Sequence, residues 1–482
     1  MTARVQHNFW RHPWLFRLAI SGAVISLSNV FSFPVAVGQF GGAFIAAYLL
    51  AHLFIAMPIL MSELLIGRRG RQSAPLSIAQ LSAEAFVPRV WRYLGVVVVV
   101  TGMAIASYYL AFSSWALDYG WLAISGQLAD TELALRFTLA ELLVDPVKLI
   151  FLHTLVCVAV LLLLALPSPL GMQVPVALMA MGLIVGVFVL TLWTLDSGAW
   201  YLGLASVFNA STDSMTINVW ASAVSLSFYS LGVGLGVTLL MGVHMEDRLS
   251  VGGTALWIIG VDVCWSILFA AAVLAFVTPG ATTDAISLLF VTLPDALNNS
   301  GIANPSAWLS LFYLLLLLSG LSTGLFLVKG LVMWLHERFQ FHRLLASTVA
   351  SGVLWLAGAS VLLSFNVWRE VRFYGATVFE WLSVLPGTIV LPLIAFLLSV
   401  FVGWILPQHI TVDELKPVYE HRYAWWRFAV KFVTTSALLV LLMFQIWTEW
   451  AIAWQLQATL VLSLFVLVVA WRRHRFTGWE RL

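Results

Sequence analysis

The chain is short of what a soluble enzyme is built from. Only 10% of its 482 residues are charged, 61% are hydrophobic, and mean hydropathy is +0.97. So few charges cannot cover a water-facing surface, which makes this a polytopic membrane protein. There are two cysteines, Cys157 and Cys264, both inside apolar runs. Membrane packing accounts for them, and neither a disulfide nor a metal site is expected. The formal net charge of +2 gives no reason to expect a nucleic-acid partner. No segment between the apolar runs is long enough to fold as a separate domain. No His-Glu-x-x-His motif or Ser–His pair lies within the runs, so an enzyme is not expected. No cleavable leader is evident, since Arg4, Arg11 and Arg17 precede the first apolar run and suit a retained inner end.

What is present is a series of apolar runs of spanning length. They fall at about 15–37, 42–66, 93–120, 148–166, 171–195, 219–243, 254–278, 305–335, 345–364, 377–406, 427–448 and 452–471. With the N-terminus inside, Arg68, Arg69, Arg71, Arg89, Arg92, Arg248, Arg338, Arg343, Lys416, Arg422, Arg427 and the tail from Arg472 to Arg475 all fall on the inner side. The outer side keeps only Arg136, Lys148, Arg369 and Arg372. This asymmetry places both termini in the cytoplasm and predicts an even number of spans.

Two spans are interrupted. In the first, Ser26-Leu27-Ser28-Asn29-Val30-Phe31-Ser32-Phe33-Pro34 puts polar groups and a proline at mid-depth. Lipid offers such groups no partners, and each unpaired one costs several kcal/mol. The stretch therefore belongs beside protein or a wet cavity. In the sixth, Ser230-Leu231-Gly232-Val233-Gly234-Leu235-Gly236 carries three alternating glycines, each about 1 kcal/mol less favourable than alanine in a helix. An isolated glycine motif reads as close helix packing. A pair of breaks five spans apart instead fits an inverted-repeat transporter with its site at the bilayer midplane. Residues 15–195 would form the first repeat and 219–406 the second. Spans at 427–471 follow, between a cytoplasmic N-terminus at 1–14 and a tail at 472–482.

Several motifs sharpen this. They are Ser28 to Pro34, Gly41-Gly42-Ala43-Phe44 with Tyr48, and Pro58, Glu63 and Gly67-Arg68 in the second span. The third span adds Tyr108-Tyr109 and Ser114-Trp115, the sixth Phe228 to Gly234, and the eighth Ser319-Gly320-Leu321-Ser322-Thr323. Together they resemble the neurotransmitter:sodium symporter family, clearly over spans one to eight and by length and topology beyond. The resemblance implies an all-α leucine-transporter fold with twelve transmembrane helices, a 5+5 inverted repeat and broken helices one and six. It also implies sodium-coupled import of a small solute by alternating access.

By resemblance, one sodium would use Val24 carbonyl, Asn29, Ser230 and Asp262. A second would use the carbonyls of Gly22, Ile25 and Ser319 with the hydroxyls of Ser322 and Thr323. Membrane serines and threonines also bond back to their own helices, which is the other reading of Ser322 and Thr323. Asp262 departs from the family's asparagine. A carboxylate within a span is costly and usually functional, although a protonated acid bonded to a neighbour is the alternative. An ionised Asp262 would repel a substrate carboxylate, relax the need for one, or titrate with transport. Ser266, one turn on, matches the serine of chloride-dependent relatives, but Leu226 replaces a glutamine of the chloride cage. Asp262 is therefore expected to supply the balancing charge, and chloride is not expected to be required.

The implied substrate pocket has Ser26, Ser28 and Tyr109 at its polar end, with Ile105, Tyr229, Leu235 and Leu327 on its apolar side. Gly232 and Gly324 would leave room there. Ser26 is not an aspartate, which argues against a monoamine. A neutral amino acid with a sizeable apolar side chain fits best, and a small carboxylate or compatible solute is the alternative. Ser32 replaces the arginine of the outer gate, whose acidic partner in span ten falls near Glu380 or Ser383. Closure would then rest on Tyr229 and Tyr109. Trp10 and Glu337 match inner-gate residues, Lys329 needs a partner such as Glu337, and Glu63 would brace the unwound sixth span. A channel would need a continuous polar pore and a sensor an added soluble domain. The polar residues cluster at mid-depth instead. The expected setting is the cell (inner or plasma) membrane, with lipid and one small molecule as partners and the protein a monomer or homodimer.

Overall fold

The computed structural model describes residues 13–167, 171–209, 215–277, 284–373, 375–416 and 420–449. Among them, nine helices are long and apolar enough to cross a membrane, and a pair bent by 54° makes a tenth span. The bent pair is α1 (Pro13–Val24) and α2 (Leu27–Phe40). It is followed by α3 (Gly42–Gly70), α4 (Ala74–Glu84), α5 (Arg89–Ile124), α6 (Glu132–Val144), α7 (Pro146–Ala165), α8 (Gln173–Asp196) and α9 (Trp200–Phe208). The second broken span is α10 (Ile217–Leu231) and α11 (Val237–His244). Then come α12 (Val251–Leu274), a helical segment at 285–299, α13 (Pro305–Phe339), α14 (Arg343–Leu363), α15 (Val378–Ile405), α16 (Gln408–Leu415) and α17 (Glu420–Gln445). These follow the first eleven expected runs. The twelfth, at 452–471, lies outside the described residues, as does Trp10.

Packing explains why these helices stay together in a solvent as apolar as their own side chains. Without a hydrophobic drive between spans, close approach of backbones carries the association. The longest spans, α5 and α13, lie along one another. A side chain at Gly320 would meet Ser113 and the Tyr109 carbonyl, and one at Gly324 would meet Leu110. Likewise α3 meets α11 where Gly67 lies on the Leu239 carbonyl and Gly242 on the Leu64 carbonyl.

At the end bearing the basic loops, Arg68 is 3% exposed and bonds Glu414 Oε1 at 2.5 Å, the Glu414 carbonyl and the Leu249 carbonyl. This ties α3 to α16. Arg71 reaches Asp247 at 2.6 Å and the Val243 carbonyl at 2.8 Å, just past α11. Of the two cysteines, Cys157 is buried and Cys264 exposed, and both are free thiols.

Candidate substrate and cation sites

Both breaks are built, by different means. Helix α1 stops at Val24, and Ser26 caps α2 with extended backbone. Ser26 N donates to Asn29 Oδ1 at 2.9 Å, and the Ser26 hydroxyl accepts from Ser28 N at 3.3 Å and donates to Asn29 Oδ1 at 2.9 Å. The Ser28 hydroxyl then donates to Ser26 Oγ at 2.8 Å. This is a reciprocal cap, in which side chains meet the backbone donors orphaned at a helix start. The two serines therefore commit their hydroxyl protons to each other and to Asn29.

The second break uses backbone geometry. Gly232, Gly234 and Gly236 have φ of +65°, +79° and +79°, a region that side chains disfavour. Three residues later in the chain than the last turn of α10, the freed Gly234 N–H donates to Glu63 Oε1 at 2.9 Å, and the Thr238 hydroxyl donates to Glu63 Oε2. Glu63 is wholly buried on α3. It braces the unwound segment, as its place in the sequence implied.

Around these breaks the structure gathers the expected residues into three groups. In the first, Tyr109 is 2% exposed, and its hydroxyl lies near Ser26, Ser28 and Tyr108 without a well-formed hydrogen bond to any of them. Ile105, Leu235 and Leu327 are buried nearby, and Gly102 packs on the Leu235 carbonyl and Leu327. Tyr108 stacks edge-on against Tyr109, ring centroids 5.0 Å apart. A cavity lined by Gln72, Ser73, Val98, Leu239 and Met333 lies on the far side of Leu235 and Leu327, toward the basic end.

In the second group, the wholly buried Ser322 hydroxyl has no hydrogen-bond partner and lies 3.3 Å from where a Gly22 side chain would begin. Thr323 donates to the Ala23 carbonyl at 3.1 Å. The Ser21 carbonyl accepts from Ile25 N at 3.0 Å. The Gly22 carbonyl lies in the last turn of α1 and that of Ile25 just past it, where a helix leaves its last acceptors without partners in the helix itself. The neighbouring Ser319 hydroxyl bonds back to the Leu316 carbonyl at 2.9 Å.

The third group centres on Asp262, which is wholly buried. Its Oδ1 accepts from Asn29 Nδ2 at 2.7 Å. Its Oδ2 accepts from Tyr48 Oη at 2.8 Å and lies 3.1 Å from His52 Nε2 and 3.2 Å from Ser230 Oγ. Asn29 Nδ2 also donates to Ser266 Oγ at 2.7 Å. Asn29 was expected to offer an oxygen here and instead presents its amino group. Sequence reading missed His52 and the part played by Tyr48. The available signal was their spacing of four on one face of a helix and an ionisable ring within an apolar run.

Among the described residues, neither Ser32 nor Glu380 forms an ion pair at the expected outer gate. Ser32 is exposed, and Glu380 caps the start of α15 through Thr377 N at 2.6 Å. Tyr229 Oη donates to the Ser383 carbonyl at 3.2 Å, and its ring fills the notch left by Gly387. Beside it Phe31 stacks on Phe112 at 4.7 Å, and Phe112 meets Phe379 at 5.9 Å. At the basic end, Glu337 accepts from Ser73 N at 2.8 Å. Among the described residues, Lys329 forms no ion pair with it.

Comparison with known proteins identifies this arrangement. The profile of the sodium:neurotransmitter symporter family matches residues 7–141 and 147–459. The chain belongs to that family. It is a family of sodium-coupled transporters and not of enzymes. An uncharacterized sodium-dependent transporter of Haemophilus influenzae is 22% identical, covering 91% of this chain and 98% of the relative. Another from Methanocaldococcus jannaschii is 25% identical over 70% of this chain and 72% of its own length. Among solved structures, MhsT in complex with L-phenylalanine superposes with a TM-score of 0.80 at 24% identity, covering 90% of this chain and 98% of that one. The symporter therefore has the leucine-transporter fold and is a multi-pass membrane protein of a sodium-dependent family.

Proposed function

We propose that this symporter imports a neutral amino acid with a sizeable apolar side chain, driven by sodium entering with it. The observation that carries the reading is that two of the buried hydroxyls left without partners, Tyr109 Oη and Ser322 Oγ, lie beside the break in the first span. A buried polar group without a partner costs about 1–3 kcal/mol, so each is poised for something outside the chain. Tyr109 faces the N-terminal end of α2, which favours an anionic group. Since the cap takes the hydroxyl protons of Ser26 and Ser28 and meets their N–H groups, Tyr109 is the donor for a substrate carboxylate. Helix-end carbonyls of α1 and α10 are suited to an ammonium. Ile105, Leu235 and Leu327 suit an apolar side chain, with Gly232 leaving space. The similar transporter MhsT was solved with L-phenylalanine, which agrees with such a ligand.

Ser322 faces acceptors at the end of α1. A sodium ion bound by Ser322 and Thr323 hydroxyls and the carbonyls of Gly22, Ile25 and Ser319 would hold α1 against α13. Binding would thereby favour one arrangement of the two repeats, 15–195 and 219–406. Both termini are assigned to the cytoplasm of the cell in which this membrane lies, on the distribution of arginine and lysine. A small carboxylate lacking the amine is the second reading, supported by the same Tyr109 geometry.

Thermal melting of purified protein across amino acids and osmolytes, in sodium and in potassium, tests the proposal. Large apolar amino acids should raise the melting temperature in sodium only. Equal stabilisation in potassium, or stabilisation by osmolytes alone, would sink it.

A further inference from the structure

We propose that at Asp262 the chain's own donors stand in the place of a sodium ion, so that the carrier couples one sodium, at Ser322 and Thr323, rather than two. This rests on the sodium-coupled reading above and sharpens it.

Sodium is held by five or six oxygen atoms presenting lone pairs, and a broken helix is where membrane carriers supply them. The expected ligands Val24, Asn29, Ser230 and Asp262 do converge, but three of them are turned to other work. Asn29 Oδ1 accepts both the N–H and the hydroxyl of Ser26. That orientation is dictated by its neighbours, because the Ser26 N–H can be met only by an oxygen. Reversing the amide would set its amino group against that N–H and its oxygen against the Asp262 carboxylate. Ser230 Oγ is engaged with Tyr48 Oη at 2.8 Å and with Asp262. The carboxylate itself is ringed by Asn29, Tyr48, His52 and Ser230, with Tyr48 and Ser230 sharing their two protons among the contacts to it and to each other. Such a carboxylate is satisfied without a cation.

His52 is built into this arrangement rather than grazing it. It is wholly buried and opens a π-helical turn, His52–Ala56, within α3. Its ring lies 4.0 Å from that of Tyr48, and its Nδ1 is set between the Tyr48 carbonyl at 3.0 Å and Ser227 Oγ at 2.9 Å. Ser227 in turn donates to the Ala223 carbonyl at 2.7 Å. The ring is thus held from α3 and α10 together, with Nε2 aimed at Asp262 on α12. Such π-turns recur at functional positions in helices. The Ser322 group differs: its hydroxyl is spare and lies beside Gly22 at the end of α1, and Thr323 spends its proton on the Ala23 carbonyl, which leaves the lone pairs of both hydroxyls open to a cation.

The test counts ions. Equilibrium binding of radioactive sodium to purified full-length protein should give one ion per chain, with sodium-dependent substrate binding showing a Hill coefficient near one. Two ions per chain, or a coefficient near two, would overturn the inference while leaving symport intact. No sodium bound at all would instead overturn the symport reading. Ser322→Ala should weaken sodium binding by about tenfold or more; a variant that keeps one tightly bound sodium would place the ion elsewhere and overturn the assignment. Asp262→Asn should leave sodium affinity within about twofold, and an affinity about tenfold lower would make Asp262 a ligand after all. If that variant is too unstable to purify, the count on the unaltered chain decides.

Discussion

The two breaks solve one problem in opposite ways. The first, at Ser26, is closed by its own side chains, a cap whose parts lie within four residues of each other. The second, at Gly232–Gly236, has no side chains of its own to spend. It takes left-handed backbone at three glycines and borrows a carboxylate from α3. The first is therefore locally encoded, while the second depends on α3 and α11 staying packed. The first break keeps its cap within itself, although Asn29 also ties it to Asp262 and Ser266 on α12. A borrowed brace ties its break to a neighbouring span.

Removing the brace should produce the largest effect. In Glu63→Ala, Gly234 N–H and the Thr238 hydroxyl lose their acceptor inside the protein. The cost is about 3 kcal/mol or more, since the lost bonds run to a buried carboxyl group. We expect a melting temperature lower by several degrees and no measurable uptake. A variant that melts and transports normally would show that the second break holds itself, and the contrast would collapse.

Next in size is the substrate-facing side of the first break. Tyr109→Phe removes a hydroxyl that bonds nothing in the chain, so stability should hold. Substrate affinity should fall by about 1.5–3 kcal/mol, or roughly tenfold to a hundredfold, the range for a hydrogen bond to a charged group. Equilibrium binding read beside thermal melting separates the two. Unchanged affinity would move the anionic end of the substrate away from this break.

A matched pair then compares the breaks directly. Gly234→Ala forces a side chain into φ of +79° and to within 3.0 Å of Leu391, at a cost of about 1–2 kcal/mol. Ser26→Ala removes a cap side chain, costing about 1 kcal/mol, and leaves Asn29 Oδ1 with the backbone N–H of residue 26 as partner. Combined with Glu63→Gln, the glycine variant should be non-additive and the serine variant additive. Melting of the four proteins and their combinations reads this out.

These differences mark where sequence reading succeeds and where it stops. Spans and breaks were legible because lipid penalises charge and unpaired backbone, so Pro34 and the three glycines stand out. Glu63 was legible from its place in a motif. Asn29 and Ser230 were grouped with Asp262 from the sequence, but His52 was not, because it lies 210 residues away and looks like a lone ring in an apolar run. Only packing of α3, α10 and α12 brings them together. The span-ten partner of Tyr229 was hidden for another reason. It is a backbone carbonyl, that of Ser383, with Gly387 as the seat, and a carbonyl carries no residue signature.

The smallest expected effect is none, and it concerns the charge beside the first break. Replacing chloride by gluconate should leave uptake unchanged. Leu226 packs in an apolar cluster with Phe33, Phe44 and Tyr48. Two of the hydroxyls that an anion would need are already engaged, since Tyr48 and Ser230 spend their protons on each other and on Asp262. An anion placed among them would also face the Asp262 carboxylate, and like charges a few ångströms apart in a dry interior repel by several kcal/mol. A strict chloride requirement would mean that this network opens during transport. The self-contained break would then be the one that rearranges most.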